Sequence, residues 1–80
     1  MQVDTKLLER IGLALRTLRR SQKMTQAELG KLSRVHCKFI SLVERGKHNI
    51  SILTLCQIVN ALGKDFATFI REIDRPHSKQ

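Results

Sequence analysis

Apolar residues recur along most of the chain at intervals of three and four positions, with polar residues between them. This is the period of an α-helix that buries one face, and it differs from the alternation expected of a half-buried strand. The first such stretch places four aliphatic residues on one face: Leu8, Ile11, Leu15 and Leu18. The pattern predicts five helices, over residues 5–23, 26–32, 37–45, 52–62 and 66–73.

Residues that start and stop helices stand at these boundaries. Asp4 or Thr5 is suited to cap the first helix. Thr25 and Glu28 have the spacing of a capping box, in which each side chain accepts a hydrogen bond from the other residue's backbone N–H. The remaining signals are N-terminal caps at His36, Ser51 and Asp65, and C-terminal glycines at Gly46 and Gly63.

The composition sets the size and class of the fold. With 80 residues, 41% of them hydrophobic, the chain can form one small core. Three Phe, no Trp or Tyr and four Gly argue against an all-β fold with many turns. The stretch Arg75–Gln80 contains the only Pro and no apolar residue. We therefore expect an all-α, compact five-helix bundle over residues 1–74 and a flexible tail over residues 75–80.

The charge balance predicts the partner. Fifteen Lys and Arg against seven Asp and Glu give a net charge of +8, and the isoelectric point is near 10.4. A basic surface of this kind favours a polyanion such as nucleic acid. No apolar stretch reaches the length of a membrane span, and the N-terminus lacks the pattern of a signal peptide. These features predict a soluble, cytoplasmic protein.

Residues 25–46 have the outline of a helix-turn-helix, because a short capped helix is followed by a brief joint and a second helix. On the second helix, Ile40 and Val43 share one face. The opposite face carries Lys38, Ser41 and Arg45, with Cys37 and Leu42 at its edges. Such a helix fits the major groove of DNA, where Lys38 would donate to guanine and Leu42 or Phe39 would contact a thymine methyl. The alternative is an ordinary solvated face.

Several motifs along the chain together resemble the phage-repressor/XRE family of helix-turn-helix DNA-binding proteins. They are Ile11-Gly12, Leu15-Arg16, Leu18-Arg19, Met24-Thr25-Gln26-Ala27-Glu28-Leu29-Gly30, Phe39-Ile40-Ser41-Leu42-Val43-Glu44-Arg45-Gly46, Asn49-Ile50-Ser51 and Ala61-Leu62-Gly63. Within the family, the chain is most similar to controller proteins of restriction–modification systems. The resemblance implies a sequence-specific transcriptional regulator, a repressor or an activator, that binds a pseudo-palindromic operator as a homodimer, with RNA polymerase as a possible further partner.

The resemblance also implies roles for single residues. Those expected at base edges are His36, Cys37, Lys38, Phe39, Ser41 and Leu42. Those expected on phosphates are Gln26, Arg45, Lys47 and Asn49, and His48 is expected to meet phosphate or water. Arg19 and Glu44 match a family pair that forms a buried ion pair. The sequence departs from the family at Arg34, where Gly is usual in the turn, and at Gly30, where Ala is usual.

The last predicted helix carries more apolar residues than one stripe of a small monomer needs. Phe66, Phe69, Ile70 and Ile73 are therefore assigned to a homodimer interface, with Asn49 to Leu53 beside it, while the alternative places all four in the core.

Other functions have weaker support in the sequence. Cys37 and Cys56 lie 19 residues apart with no ligand-spaced His, which argues against a metal site. No catalytic motif or cofactor-binding loop is present, and the prediction is therefore a protein that is not an enzyme and needs no cofactor. An exposed Cys37 would be open to oxidation. Two further alternatives are an antitoxin that represses its own operon and a nonspecific protein that coats nucleic acid.

Overall fold

The computed structural model describes residues 4–74, and within them the chain forms five α-helices and no strand. The helices are α1 (Thr5–Ser21), α2 (Gln26–Ser33), α3 (Cys37–Glu44), α4 (Ile52–Ala61) and α5 (Phe66–Asp74). The predicted all-α bundle of five helices is confirmed, and each boundary lies within two residues of its predicted position. The tail predicted over residues 75–80 lies outside the described part of the chain.

The helix ends follow the capping signals of the sequence. Asp4 caps α1 by accepting a hydrogen bond from the backbone N–H of Leu7 at 2.9 Å. Ser51 caps α4 by accepting from the N–H of Thr54 at 3.2 Å. α1 ends at Ser21 rather than Lys23, because Lys23 takes a left-handed backbone conformation with φ of 56°. A left-handed residue cannot continue a right-handed helix.

The core lies where the five helices converge. Its most deeply buried large side chains come from four of them, and they are Leu15, Leu29, Ile40, Ile58 and Val59. α3 packs against α1 and α2, α2 also packs against α4, and α5 packs against α4 and α1. The helix-turn-helix pair α2–α3 is therefore held from both sides. None of the helices within residues 4–74 combines the length and apolar character needed to cross a membrane.

Two glycines allow the close approach that this packing needs. A Cβ added to Gly12 of α1 would lie 2.3 Å from the carbonyl oxygen of Val43 and 2.6 Å from that of Glu44. A Cβ added to Gly30 of α2 would lie 2.8 Å from the carbonyl oxygen of Val35. All three distances are too short for a real methyl group, so α1 and α2 reach the backbone of α3 and its turn only because these positions lack side chains.

The structure corrects part of the interface predicted on α5. Phe69 and Ile73 expose only 3% and 8% of their surface and belong to the core. Phe66 is half-buried against that core, and Ile70 remains 37% exposed. The reason is that α1 covers this side of α5, where the guanidinium of Arg10 donates a hydrogen bond to the carbonyl of Ile73. Phe69 and Ile73 thus have little surface left for a second protomer.

Candidate nucleic-acid interface

α3 presents two chemically different faces. Ile40 and Val43 are 1% and 2% exposed and point into the core. Cys37, Lys38 and Arg45 are exposed, and Ser41 and Leu42 at their side are half-buried. This outer surface carries four of the six residues that were predicted at base edges, together with Arg45, which was predicted on phosphate.

His36 has the structural role that its position before α3 predicts. It is the N-cap of α3, and its Nδ1 accepts a hydrogen bond from the backbone N–H of Lys38 at 3.0 Å. The sequence placed His36 among the base-contacting residues. One ring nitrogen is thus occupied by the helix terminus, which leaves only Nε2 for an outside partner.

Behind the outer face of α3, Arg19 and Glu44 form a buried ion pair. Arg19 Nε lies 2.6 Å from Glu44 Oε2, and Arg19 Nη2 lies 2.9 Å from Glu44 Oε1. The third guanidinium nitrogen, Nη1, donates to the carbonyl of Met24 at 2.7 Å. The hydrogen bond to Glu44 raises the pKa of Arg19 above its ordinary value. The pair ties α1, the start of α2 and the end of α3 into one unit.

Gln26 at the start of α2 is connected to this ion pair. Its Nε2 donates to Glu44 Oε1 at 3.0 Å. Because an ionised carboxylate only accepts hydrogen bonds, the amide nitrogen rather than the amide oxygen must face Glu44. The second amide N–H of Gln26 remains available, next to the positive end of the α2 dipole. The sequence assigned Gln26 to a phosphate but gave no sign that Glu44 orients it.

The turn between α2 and α3 contains the departure noted in the sequence. Arg34 is the C-cap of α2 and takes the left-handed conformation, with φ of 61° and ψ of 33°. Its backbone N–H donates to the carbonyl of Gly30. A non-glycine residue in this conformation carries some strain. The absence of a side chain at Gly30 lets the turn pass close above α2.

The chain reverses sharply after α3. Gly46, with φ of 70°, donates from its N–H to the carbonyl of Val43 at 3.0 Å, and Lys47 donates to that of Leu42 at 2.9 Å. These two bonds form a Schellman motif. Arg45, Lys47 and Asn49 are all exposed around it, and Arg45 Nε also donates to the carbonyl of Ser41 at 3.3 Å.

An aromatic pair connects this loop to α3. The rings of Phe39 and His48 have centroids 5.3 Å apart and planes inclined by 55°. The sequence assigned the two residues to separate partners, because no local pattern reveals that the loop returns to α3. Of the two cysteines, Cys37 is an exposed free thiol and Cys56 is a half-buried free thiol.

Comparisons with known proteins agree on the class of domain. The family model HTH_3, described as helix-turn-helix, matches residues 15–69. The uncharacterized HTH-type transcriptional regulator y4dJ of Sinorhizobium fredii is 30% identical over 64 residues, which cover 80% of this chain and 83% of that protein.

Three solved structures are also similar. The clp gene regulator ClgR from Corynebacterium glutamicum is 36% identical with a TM-score of 0.78, over 84% of this chain and 71% of that chain. The restriction-modification controller protein C.Esp1396I, solved as a tetramer with its natural 35-base-pair operator, is 27% identical with a TM-score of 0.78, over 84% and 88%. The controller protein C.AhdI from Aeromonas hydrophila is 29% identical with a TM-score of 0.75, over 78% and 94%.

Proposed function

The chain belongs to the helix-turn-helix family HTH_3 and is a DNA-binding transcriptional regulator. On that premise we propose that it binds a pseudo-palindromic operator as a homodimer, with α3 of each protomer in the major groove. The observation that carries the proposal is the division of α3, whose core face holds Ile40 and Val43 while Cys37 and Lys38 stay exposed.

The outer residues of α3 have the chemistry for reading bases. Lys38 is a donor suited to guanine O6 and N7, and Ser41 both donates and accepts. Leu42 offers an apolar contact to a thymine methyl. Cys37 lies at the start of α3, closest to the turn. His36 is proposed to assist through its Nε2, since its Nδ1 already caps the helix.

Phosphate contacts would fix the register of α3 in the groove. We assign them to Gln26 before α3 and to Arg45, Lys47 and Asn49 after it. Gln26 is held by Glu44 with one amide N–H to spare, which suits a phosphate oxygen. The three residues after α3 are exposed around the Schellman turn, where two of them bring positive charge.

The exposed apolar residues of the second half of the chain favour a dimer. Ile52 and Leu53 at the start of α4 are 72% and 79% exposed, and Ile70 of α5 is 37% exposed. We propose that these residues, with Phe66 at the edge, form the interface in place of Phe69 and Ile73. A two-fold dimer on DNA places its recognition helices about 34–36 Å apart, one turn of the duplex.

A role as a restriction–modification controller is a narrower form of this proposal. It is supported by the similarity to C.Esp1396I and C.AhdI over most of both chains. Binding to DNA upstream of the protein's own gene and of an adjacent endonuclease gene would support it. Binding beside a toxin gene instead would favour the antitoxin alternative.

Selection of bound duplexes from a random library tests the operator proposal directly. We expect enrichment of an inverted repeat whose half-sites lie about one helical turn apart. Equal enrichment of all sequences, together with a steep loss of affinity in salt, would indicate nonspecific coating and overturn the proposal.

Two exposed lysines provide a matched pair for assigning roles. Lys38→Ala should cost about 1–3 kcal/mol of operator binding and relax the preference at one base position. Lys47→Ala removes the same charge beyond the helix and should weaken operator and random DNA alike. Equal losses on both duplexes for Lys38→Ala would show that Lys38 contacts phosphate instead.

A further inference from the structure

Phe39 is an unusual residue for the surface on which it lies. It is the third residue of α3, and 48% of its surface is exposed. The neighbouring exposed side chains of that surface include Lys38 and, beyond the turn, Lys47. Phe39 therefore offers an apolar surface beside charged side chains, which suits a partner that has an apolar group.

The ring is held in place by His48. The centroids of the two rings are 5.3 Å apart and their planes are inclined by 55°, which is a favourable tilted arrangement for an aromatic pair. His48 is itself half-buried. A side chain restrained before binding loses less conformational entropy when it meets a ligand.

The Schellman turn explains why His48 reaches Phe39. Gly46 in the left-handed conformation and the bond from Lys47 N–H to the Leu42 carbonyl send the chain back along α3. A Cβ on Gly46 would also lie 2.9 Å from Cγ of Glu9 on α1. The direction of the loop is therefore fixed, and His48 comes to lie beside the first turn of α3.

The major groove exposes one apolar group among the base edges, the 5-methyl group of thymine. We infer that Phe39 is a specificity-determining residue that reads this methyl group in each operator half-site, and that His48 is the positioning residue that holds the Phe39 ring. The inference rests on the proposed operator binding. It adds which base is recognised and which residue positions the Phe39 side chain that recognises it.

The test uses the operator obtained by selection and replaces one thymine per half-site at a time with deoxyuridine. This change removes the methyl group and leaves every hydrogen-bonding group of the base unchanged. At one position we expect the full-length protein to bind the uridine duplex about fourfold more weakly per half-site, the effect of one buried methyl group. Phe39→Ala should bind both duplexes equally, and Phe39→Leu should keep part of the difference.

Two His48 variants separate positioning from a general effect on folding. His48→Ala should reduce the thymine-to-uridine ratio to less than about twofold, whereas the aromatic replacement His48→Phe should restore it. A general loss of folded protein would lower the affinity for both duplexes and leave their ratio unchanged. Lys47→Ala serves as the control, since it should weaken both duplexes without changing the ratio.

A failure of this inference can be distinguished from a failure of the proposed function. If selection yields an operator but no thymine position discriminates against uridine, Phe39 does not read a methyl group and the inference is overturned. An operator without a fixed thymine in its half-sites would overturn it equally. If His48→Ala keeps the full ratio, the positioning role of His48 is overturned. Failure to select any operator would instead contradict the proposed function itself.

Discussion

At the scale of single residues, the buried pair of Arg19 and Glu44 connects folding with the candidate DNA-binding surface. Only 9% and 3% of the two side chains are exposed. Removing ions from water is costly, and the cost is recovered here by two short hydrogen bonds between them and by the bond from Arg19 to the Met24 carbonyl. Because Gln26 also depends on Glu44, the same carboxylate stabilises the fold and orients a residue assigned to phosphate.

Glu44→Ala should destabilise the protein by about 3–5 kcal/mol, because it leaves the Arg19 guanidinium buried without its counter-ion. Urea unfolding followed by circular dichroism measures the change. Glu72→Ala is the matched control, since Glu72 forms an exposed ion pair with Lys64 at 3.3 Å. That variant should lose less than about 1 kcal/mol. Equal small losses for the two variants would show that the Arg19–Glu44 pair does not stabilise the fold.

Arg34 offers a test of backbone strain in the helix-turn-helix. Its φ of 61° is free of strain only for glycine. Arg34→Gly should raise the free energy of unfolding by about 0.5–1 kcal/mol, after the greater entropy of glycine in the unfolded chain is subtracted. Arg34→Ala removes the same charge and keeps the strain, so it should give no gain. A gain in both variants would assign the effect to the charge.

At the scale of helices, two carboxylates at N-termini couple stability to pH. The backbone N–H of Thr25 donates to Glu28 and that of Thr68 donates to Asp65, and these bonds lower the pKa of each carboxyl group below its ordinary value. Each carboxylate is thus better stabilised in the folded state than in the unfolded one. The stability it contributes is present above the ordinary carboxyl pKa, and it is lost as the pH falls through the lowered value.

We therefore expect the free energy of unfolding to decrease as the pH falls below about 4, where carboxyl groups begin to bind protons. The double variant Glu28→Gln and Asp65→Asn keeps capping side chains of the same shape but removes both titrations. Its stability should change less between pH 5 and pH 3 than that of the unmodified protein. Identical profiles for the two proteins would show that these caps do not contribute to acid sensitivity.

Helices were the level at which the sequence was most informative. Periodicity located all five, and caps such as Thr25, Ser51 and Gly46 set their ends, because these signals act within four residues. The division of α3 into a core face and an exposed face was also predictable from its own sequence. Such local information cannot show how much of a helix is covered by distant elements. Phe69 and Ile73 were misassigned because α1, from the other end of the chain, covers them.

Within the candidate interface, the missed features are those that depend on tertiary contacts. Glu44 orients Gln26 across 18 residues of sequence, and His48 meets Phe39 only because the loop turns back. The cap at His36 was predictable, since this residue stands immediately before α3, but the sequence did not show that its Nδ1 is the atom that accepts the hydrogen bond. A helical wheel of α3 assigns its residues to the core face and the exposed face, but it does not reveal these tertiary contacts.

At the scale of the whole molecule, the proposed dimer depends on a small exposed apolar surface. Leu53→Asp introduces a charge at a side chain that is 79% exposed, so the monomer should fold with an unchanged melting temperature. Association should be lost, and operator affinity should fall on the order of tenfold or more because the half-sites no longer bind together. Sedimentation equilibrium and operator titration measure the two effects.

Leu13→Asp is the control for this experiment, since Leu13 of α1 is 62% exposed on a different surface. It should leave both association and operator affinity unchanged. A Leu53→Asp protein that remains dimeric would place the interface elsewhere, and dissociation by Leu13→Asp would move it to the groove of about 420 Å³ between α1 and α5.

The absence of a side chain at Gly12 has a consequence for how this domain could be redirected to a new target. Because α1 rests directly on the carbonyl groups at the end of α3, the position of α3 relative to α1 is set by main-chain contact. It does not depend on Cys37, Lys38 or Ser41. Those three positions can therefore be randomised together in a library while Gly12 is kept, and variants with altered operator preference should emerge without loss of the scaffold.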